Sequence, residues 1–265
     1  MKVLVLRSNT PENTSFDGFQ WPESGHVSAP DWVPDTFCGR GLHGFLWGEG
    51  DAKLSAQGLP AKWLVVEVEQ DQIIDLKGKV KFPSGNVVFC GDRLGATRYL
   101  YAHGAHGKAV MYGTATVGAR GTAIVGEDGT ATAGEEGIAT AGARGTATAG
   151  WRGTATAGEE GIVTAGAYGT ATAGWRGTAT AGEGGTATAG AYGTATAGWR
   201  GTATAGEGGI AIVGEEGTAT AGDKGLLVWS TLNALDGFRA SPVGHDEDCK
   251  PGVAYRYRNG RAVRA

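Results

Sequence analysis

From Gly113 to Lys224 the chain repeats every eight residues as Gly-Thr-Ala-Thr-Ala-Gly-x-x, through fourteen unbroken octads. Gly, Ala and Thr fill 81 of those 112 positions, and all eight prolines lie outside the block. A strict period of this length is the mark of a stacked repeat architecture. Disorder would not require glycine at octad positions one and six. Nor would it require substitutions that keep side-chain class: Thr becomes Ile at 124, 138, 162, 210 and 212, and Ala becomes Val at 117, 125, 163 and 213. These replacements keep or raise β propensity. Two glycines per octad exclude a helix. The reading is an all-β solenoid with strand Thr-Ala-Thr-Ala and turn Gly-x-x-Gly.

Side chains alternate along a strand, so the threonines share one face and the alanines the other. A buried threonine leaves a hydroxyl in need of a partner, so Ala is assigned inside and Thr outside. So thin a core puts the two sheets closer than the usual ~10 Å.

Two coil lengths compete. The variable turn pairs repeat every three octads in the middle of the block, which suits a three-sided coil of 24 residues. That coil would stack Trp151, Trp175 and Trp199, and would also stack Glu135, Glu159, Glu183 and Glu207, like on like. A two-sided coil of 16 gives one turn column of Arg120, Glu136, Arg152, Tyr168, Gly184, Arg200 and Glu216, in which neighbouring charges alternate in sign. Alanine also cannot fill a triangular lumen. The two-sided coil is favoured; Thr146 should then stack between Thr130 and Ile162.

The solenoid (105–224) divides the chain into a head (1–104) and a tail (225–265). The head is expected to be a small α+β domain with strands at Lys2–Leu6, Trp63–Val68 and Val87–Phe89 and a short helix at Arg93–Ala102. Trp21, Trp32, Trp47 and Trp63 offer a core. The tail is expected to close the solenoid with a β-hairpin turning at Asn259-Gly260, and uncapped strand edges would polymerise.

The string Thr-Ala-Gly-x-x-Gly-Thr-Ala-Thr-Ala-Gly, as in Thr164–Gly174, resembles the repeats of bacterial ice-nucleation proteins. That resemblance implies two octads per coil and water-ordering Thr-x-Thr faces. The head segment Phe37–Gly44, with Gly18–Trp21 upstream and Phe89–Arg93 beyond, is similar to a phage and bacterial family in which an uncharacterised N-terminal domain precedes short solenoid repeats. Lys250–Gly260 resembles that family's closing hairpin. This second resemblance implies a fold and no activity.

A non-catalytic scaffold that presents regular faces and turn ladders is the expected function. Ice or water ordering is the alternative, through Thr130, Thr132, Thr146, Thr148, Thr154, Thr156, Thr178, Thr180, Thr194 and Thr196. Threonine is also simply a soluble β-former, and both faces carry the same motif. Turn aromatics Trp151, Trp175, Trp199, Tyr168 and Tyr192 are candidates for a homodimer contact, or for local stacking on the adjacent arginines.

An enzymatic or ligand-binding head is the third reading. Cys38 and His43, with Cys90, would form a thiolate–imidazole pair or part of a zinc site. A buried cysteine and a backbone-bonded histidine in a glycine turn is the favoured alternative. Asp92 and Arg93 read as a ligand contact or, more simply, a local ion pair or turn. His103 and His106 read as turn residues, and His245 and Cys249 as tail residues beside a solvated acidic loop. No phosphate loop, nucleophile elbow or zinc-ligand signature is present, so no catalytic residue, metal or cofactor is expected.

The formal charge of −4 is too weak to argue for nucleic acid. No apolar run reaches the ~18 residues of a membrane span. Three widely spaced cysteines and a short N-terminal apolar run point to a reducing cytosol without a signal peptide.

Overall fold

The computed structural model describes residues 1–15, 17–55, 61–230, 238–243, 249–258 and 261–265. They form two compact units: residues 1–114 with 124–129, and residues 115–123 with 130–265.

The first unit is built on β1 (Lys2–Asn9), β2 (Gly25–Ser28), β3 (Leu42–Leu46), β4 (Lys62–Glu69), β5 (Ile74–Asp75), β6 (Val80–Phe82), β7 (Ser84–Gly91) and α1 (Arg93–Ala102). The strands make one antiparallel sheet in the order β2-β7-β4-β1-β3-β6-β5. The runs Val3–Leu6 and Leu64–Val66 are buried throughout, because both sheet faces are covered. Leu4, Leu6, Trp63 and Val65 pack with Ala96 and Leu100 of α1, while Val5, Leu64 and Val66 pack with Trp21, Leu42 and Phe82. Trp21 and Trp63 are core residues, whereas Trp32 and Trp47 are half-buried.

The second unit is the solenoid. Strand Thr146–Ala149 pairs in parallel with Thr130–Ala133 on one side and Ile162–Ala165 on the other, so Thr146 stacks between Thr130 and Ile162. Each strand therefore meets the one 16 residues away, in about seven coils. Two nine-stranded sheets result. Ala147 is 0% exposed and Ala149 3%, with threonine on the outer side.

Within the stack the repeated glycines answer close approaches, whereas Gly118 in the first octad meets nothing within 4 Å. A Cβ on Gly150, at octad position six, would lie 2.8 Å from the Glu135 amide nitrogen of the preceding coil. On Gly153, at position one, it would lie 2.7 Å from the Ala149 Cβ. Real side chains cannot approach so closely without displacing the backbone.

The left-handed residue of the turn is at position eight instead. Arg120, Glu136, Arg152, Tyr168 and Arg200 have φ of 58°, 53°, 53°, 57° and 54°. Only Gly184 and Gly208 relieve this conformation with glycine, which costs an L-residue about 1–2 kcal/mol. The compensation is a continuous ladder: the position-eight N–H donates to the position-seven carbonyl of the next coil, as in Glu136 to Trp151 at 2.8 Å and Arg152 to Ala167 at 2.9 Å.

At the C-terminal end the core widens. Leu227 and Trp229 take alanine positions and are buried, as are Val243 and Tyr255. Phe238–Pro242 pairs antiparallel with Leu226–Ser230, and the hairpin Tyr255–Arg258 with Arg261–Arg264 joins the other sheet at Ala219. The Asn259-Gly260 turn and His245 lie outside the described residues.

Replacing Ala147 with Leu should cost about 1–3 kcal/mol, as overpacked cores do, while Thr146→Val should stay within about 0.5 kcal/mol. Gly150→Ala should also destabilise, through the 2.8 Å approach to Glu135. Chemical denaturation of the three variants checks this order.

Candidate functional site

The solenoid presents two outer faces, and they differ. One is built by strands from Thr114–Val117 through Thr130–Ala133 to Leu226–Ser230. Its outward columns are broken by Ile162, which is 56% exposed, and then by Ile210, Ile212, Leu226 and Val228. The other face carries Ile138 and Thr140, and then ten threonines in five successive strands: 154 and 156, 170 and 172, 186 and 188, 202 and 204, 218 and 220. Coil stacking spaces them at ~4.8 Å across strands, and ~6.7 Å separates the two on one strand. Among the described residues, only Thr218 of these ten has its hydroxyl engaged by protein, accepting from Arg256 Nε at 3.0 Å. The other nine have no protein partner and are open to water.

The threonines singled out from the sequence are divided by this geometry. Thr130, Thr132, Thr146, Thr148, Thr178, Thr180, Thr194 and Thr196 lie on the interrupted face, and Thr154 and Thr156 begin the continuous one. Treating the two faces as equal left out the other eight threonines of the continuous face: Thr170, Thr172, Thr186, Thr188, Thr202, Thr204, Thr218 and Thr220. Reading each face separately at a step of 16 residues would have found them.

The turn edges hold the aromatics. Trp151, Trp175 and Trp199 are 40%, 42% and 39% exposed. Each is covered by the arginine that follows it, with Arg152, Arg176 and Arg200 lying 4.5, 5.0 and 4.1 Å from the ring centroids. Tyr168 and Tyr192 lie across Gly184 and Gly208 of the next coil, where an added Cβ would come within 2.7–2.8 Å of the rings. The sign alternation along the edge forms ion pairs, Arg120 to Glu136 at 2.8 Å and Arg200 to Glu216 at 2.6 Å. Exposed pairs of this kind contribute little individually.

The head candidates separate. Asp92 caps α1, its Oδ1 accepting from the Gly95 N–H at 2.6 Å, and Arg93 lies 4.6 Å from the Tyr112 ring centroid. Cys38 is exposed, not buried as the sequence suggested, because it precedes β3 in an irregular stretch. Lys79 Nζ donates to its sulfur at 3.0 Å. His43 sits on β3 rather than in a turn. Gly44 beside it permits that strand, since a Cβ there would lie 2.4 Å from Val5 Cγ1. Cys90 is on β7, opposite Leu64. Among the described residues no three His, Cys, Asp or Glu side chains are grouped to hold a metal.

Burial, reinforced by the charges of Lys79, Arg7 and Lys81, pushes the His43 imidazole down to about 4, against a smaller opposing pull from Asp17.

The class of protein is thus a two-sheet parallel β-solenoid with outward Thr-x-Thr ladders, carried with an α+β head. Over the repeat region the chain is similar to curated ice nucleation proteins. It is 36% identical to that of Pseudomonas syringae pv. syringae over 117 residues, which is 43% of this chain and 10% of the relative. It is 38% identical to that of Xanthomonas campestris pv. translucens over 105 residues, 38% of this chain and 7% of the relative. With ice nucleation protein InaU of Pantoea ananas the figures are 36% over 107 residues, 39% of this chain and 10% of the relative. The chain thus spans a tenth or less of the length of these relatives. No family model matches the chain, and no solved structure matches it.

The depressed His43 carries a pH signature. The folded head keeps the ring neutral down to about pH 4, whereas the unfolded chain takes up the proton near 6.5. Within that window the unfolded state binds more protons, so the head loses stability as pH falls through it. Hydrogen exchange of the β1 and β4 amides should accelerate on going from neutral pH toward the folded value, after correction for intrinsic rates. His43→Gln should flatten part of that trend.

Proposed function

We propose that the continuous threonine face, residues 154–220, is a water-ordering surface that binds ice, and that the protein acts without catalysis. The observation that carries this reading is the array itself. Nine hydroxyls without protein partners stand on a rigid two-column grid, each beside a methyl group that limits the orientations of neighbouring water. A regular grid of this kind can hold water in one pattern, where an irregular polar surface cannot. The similarity of the repeat to ice nucleation proteins supports the same reading. The interrupted face is a poorer template, because exposed Ile162 and Ile210 and half-buried Ile212 leave gaps in its hydroxyl columns.

Ice-affinity partitioning and recrystallisation assays test this. Thr186→Lys with Thr188→Lys, in the middle of the continuous face, should abolish retention on ice. Thr146→Lys with Thr148→Lys, on the other face, should leave most of it. Circular dichroism should show both variants folded. Equal effects on the two faces, or no ice retention by the native chain, would reject the assignment.

A scaffold that self-associates through its turns is the second reading, favoured by the exposure of Trp151, Trp175 and Trp199 at about two-fifths each. In the 16-residue coil Trp151 and Trp199 share one edge and Trp175 lies on the other. Sedimentation should then show a dimer that the triple Trp→Ser variant converts to a folded monomer. A native monomer at high micromolar concentration would leave the Trp–Arg turns as local clamps alone.

A further inference from the structure

The head contains a cavity of about 280 Å³ between residues 17–21, the stretch 30–41 and strand β3. Its size suits a small metabolite, at the low end of ligand pockets. We propose that this cavity binds the oxyanion group, carboxylate or phosphate, of a small organic molecule, with the Arg7 guanidinium as its anchor.

Arg7 projects from β1 and lines the cavity. It is half-buried overall, and desolvation pulls its guanidinium down to about 10, only partly offset by Asp17. Among the described residues no carboxylate lies within ion-pair distance of it. An arginine withdrawn from water without a carboxylate is costly. The neighbouring Lys81 shows the ordinary solution: its side chain is 0% exposed and its Nζ is 2.6 Å from Asp35 Oδ1. Lys81 has a carboxylate at ion-pair distance, whereas Arg7 has only the weaker pull of Asp17.

The Arg7 side chain is also fixed in position. Nε donates to Asn9 Oδ1 at 2.7 Å, Nη1 to the His43 carbonyl at 2.8 Å and Nη2 to Ser15 Oγ at 2.6 Å. The guanidinium lies 4.4 Å from the Trp21 ring centroid. These bonds use three of its five N–H groups and leave one on each terminal nitrogen to donate to a ligand. A guanidinium held this way loses little further entropy on binding.

The surroundings favour a single anionic group. Lys79 and Arg40 line the same cavity, which adds positive field, while Asp17 and Asp31 also line it and would repel a polyphosphate. His43 lines the cavity as well, its Nε2 accepting from the Gly39 N–H at 3.4 Å. Phe19, Trp21 and Leu42 provide apolar wall for a carbon body.

Calorimetric titration of the full chain at low ionic strength with inorganic phosphate, adenosine 5′-monophosphate and benzoate tests the assignment. At least one should bind with a Kd below about 1 mM. Binding by benzoate alone identifies a carboxylate ligand, and binding by either phosphate probe a phosphoryl one. Arg7→Lys keeps the charge but loses the fork, and should weaken binding about tenfold or more. Should that variant fail to fold, Arg40→Gln with Lys79→Gln, both on the cavity lining, should weaken binding about fivefold with melting unchanged. No heat with any probe at about 10 mM, or undiminished affinity in the folded double variant, overturns the proposal.

Discussion

The solenoid depends on how closely one turn stacks on the next. Its two sheets are held in register by a backbone ladder that runs through the strands and continues around both edges, through bonds such as Arg120 N–H to the Glu135 carbonyl at 2.7 Å and Arg144 to Glu159 at 2.7 Å. That continuity requires nearly every residue at octad positions one and six to carry no side chain, because a Cβ at positions such as Gly150, Gly153 or Gly174 would fall within 3 Å of an adjacent atom. The invariant glycines are therefore a packing requirement, and the left-handed conformation is passed to position eight. There Arg, Glu and Tyr accept it because each gains a ladder bond in return.

This constraint explains the alanine interior. Sheets linked by turns this tight leave room between them for methyl groups and little more. Four buried methyls per coil contribute only a few kcal/mol at ~0.8 kcal/mol each. The ladder must carry much of the remaining cohesion, at a net ~1 kcal/mol per bond. Valine enters the regular stack at positions such as Val163, and still larger side chains where the geometry changes. Leu227, Trp229 and Tyr255 fill the C-terminal end, where the chain leaves the octad pattern and turns its last strands antiparallel. Antiparallel strands laid on both terminal edges of a parallel array also remove the template on which another solenoid would grow.

The two units carry different kinds of chemistry. The solenoid presents a repeated surface whose regular feature is its spacing. The head has a small cavity lined by a fixed arginine, a histidine and two further cations, with Asp17 and Asp31. Regular spacing suits an extended lattice such as ordered water; convergence suits a discrete molecule. The two proposals therefore stand on separate observations.

The octad alone determined the strands, the inward alanines and the outward threonines, because side-chain alternation is local. It also favoured the 16-residue coil, through charges such as Arg120 and Glu136 that attract only when stacked. In the head, α1 was legible over Arg93–Ala102, but Asp92 read as an ion-pair or turn residue, and only the structure makes it the cap. The strands β1, β4 and β7 showed as apolar runs. The short strands β2, β3, β5 and β6 did not, since β3 contains a glycine whose place in the sheet is set by Val5 and Leu6 of another strand. Tertiary structure alone decided the left-handed position eight, for Glu, Arg and Tyr give no local signal of positive φ. It alone set the exposure of Cys38 and left half-buried Arg7 without a carboxylate at ion-pair distance among the described residues. These are properties of what surrounds a residue in space, and a linear sequence states the residue without its surroundings.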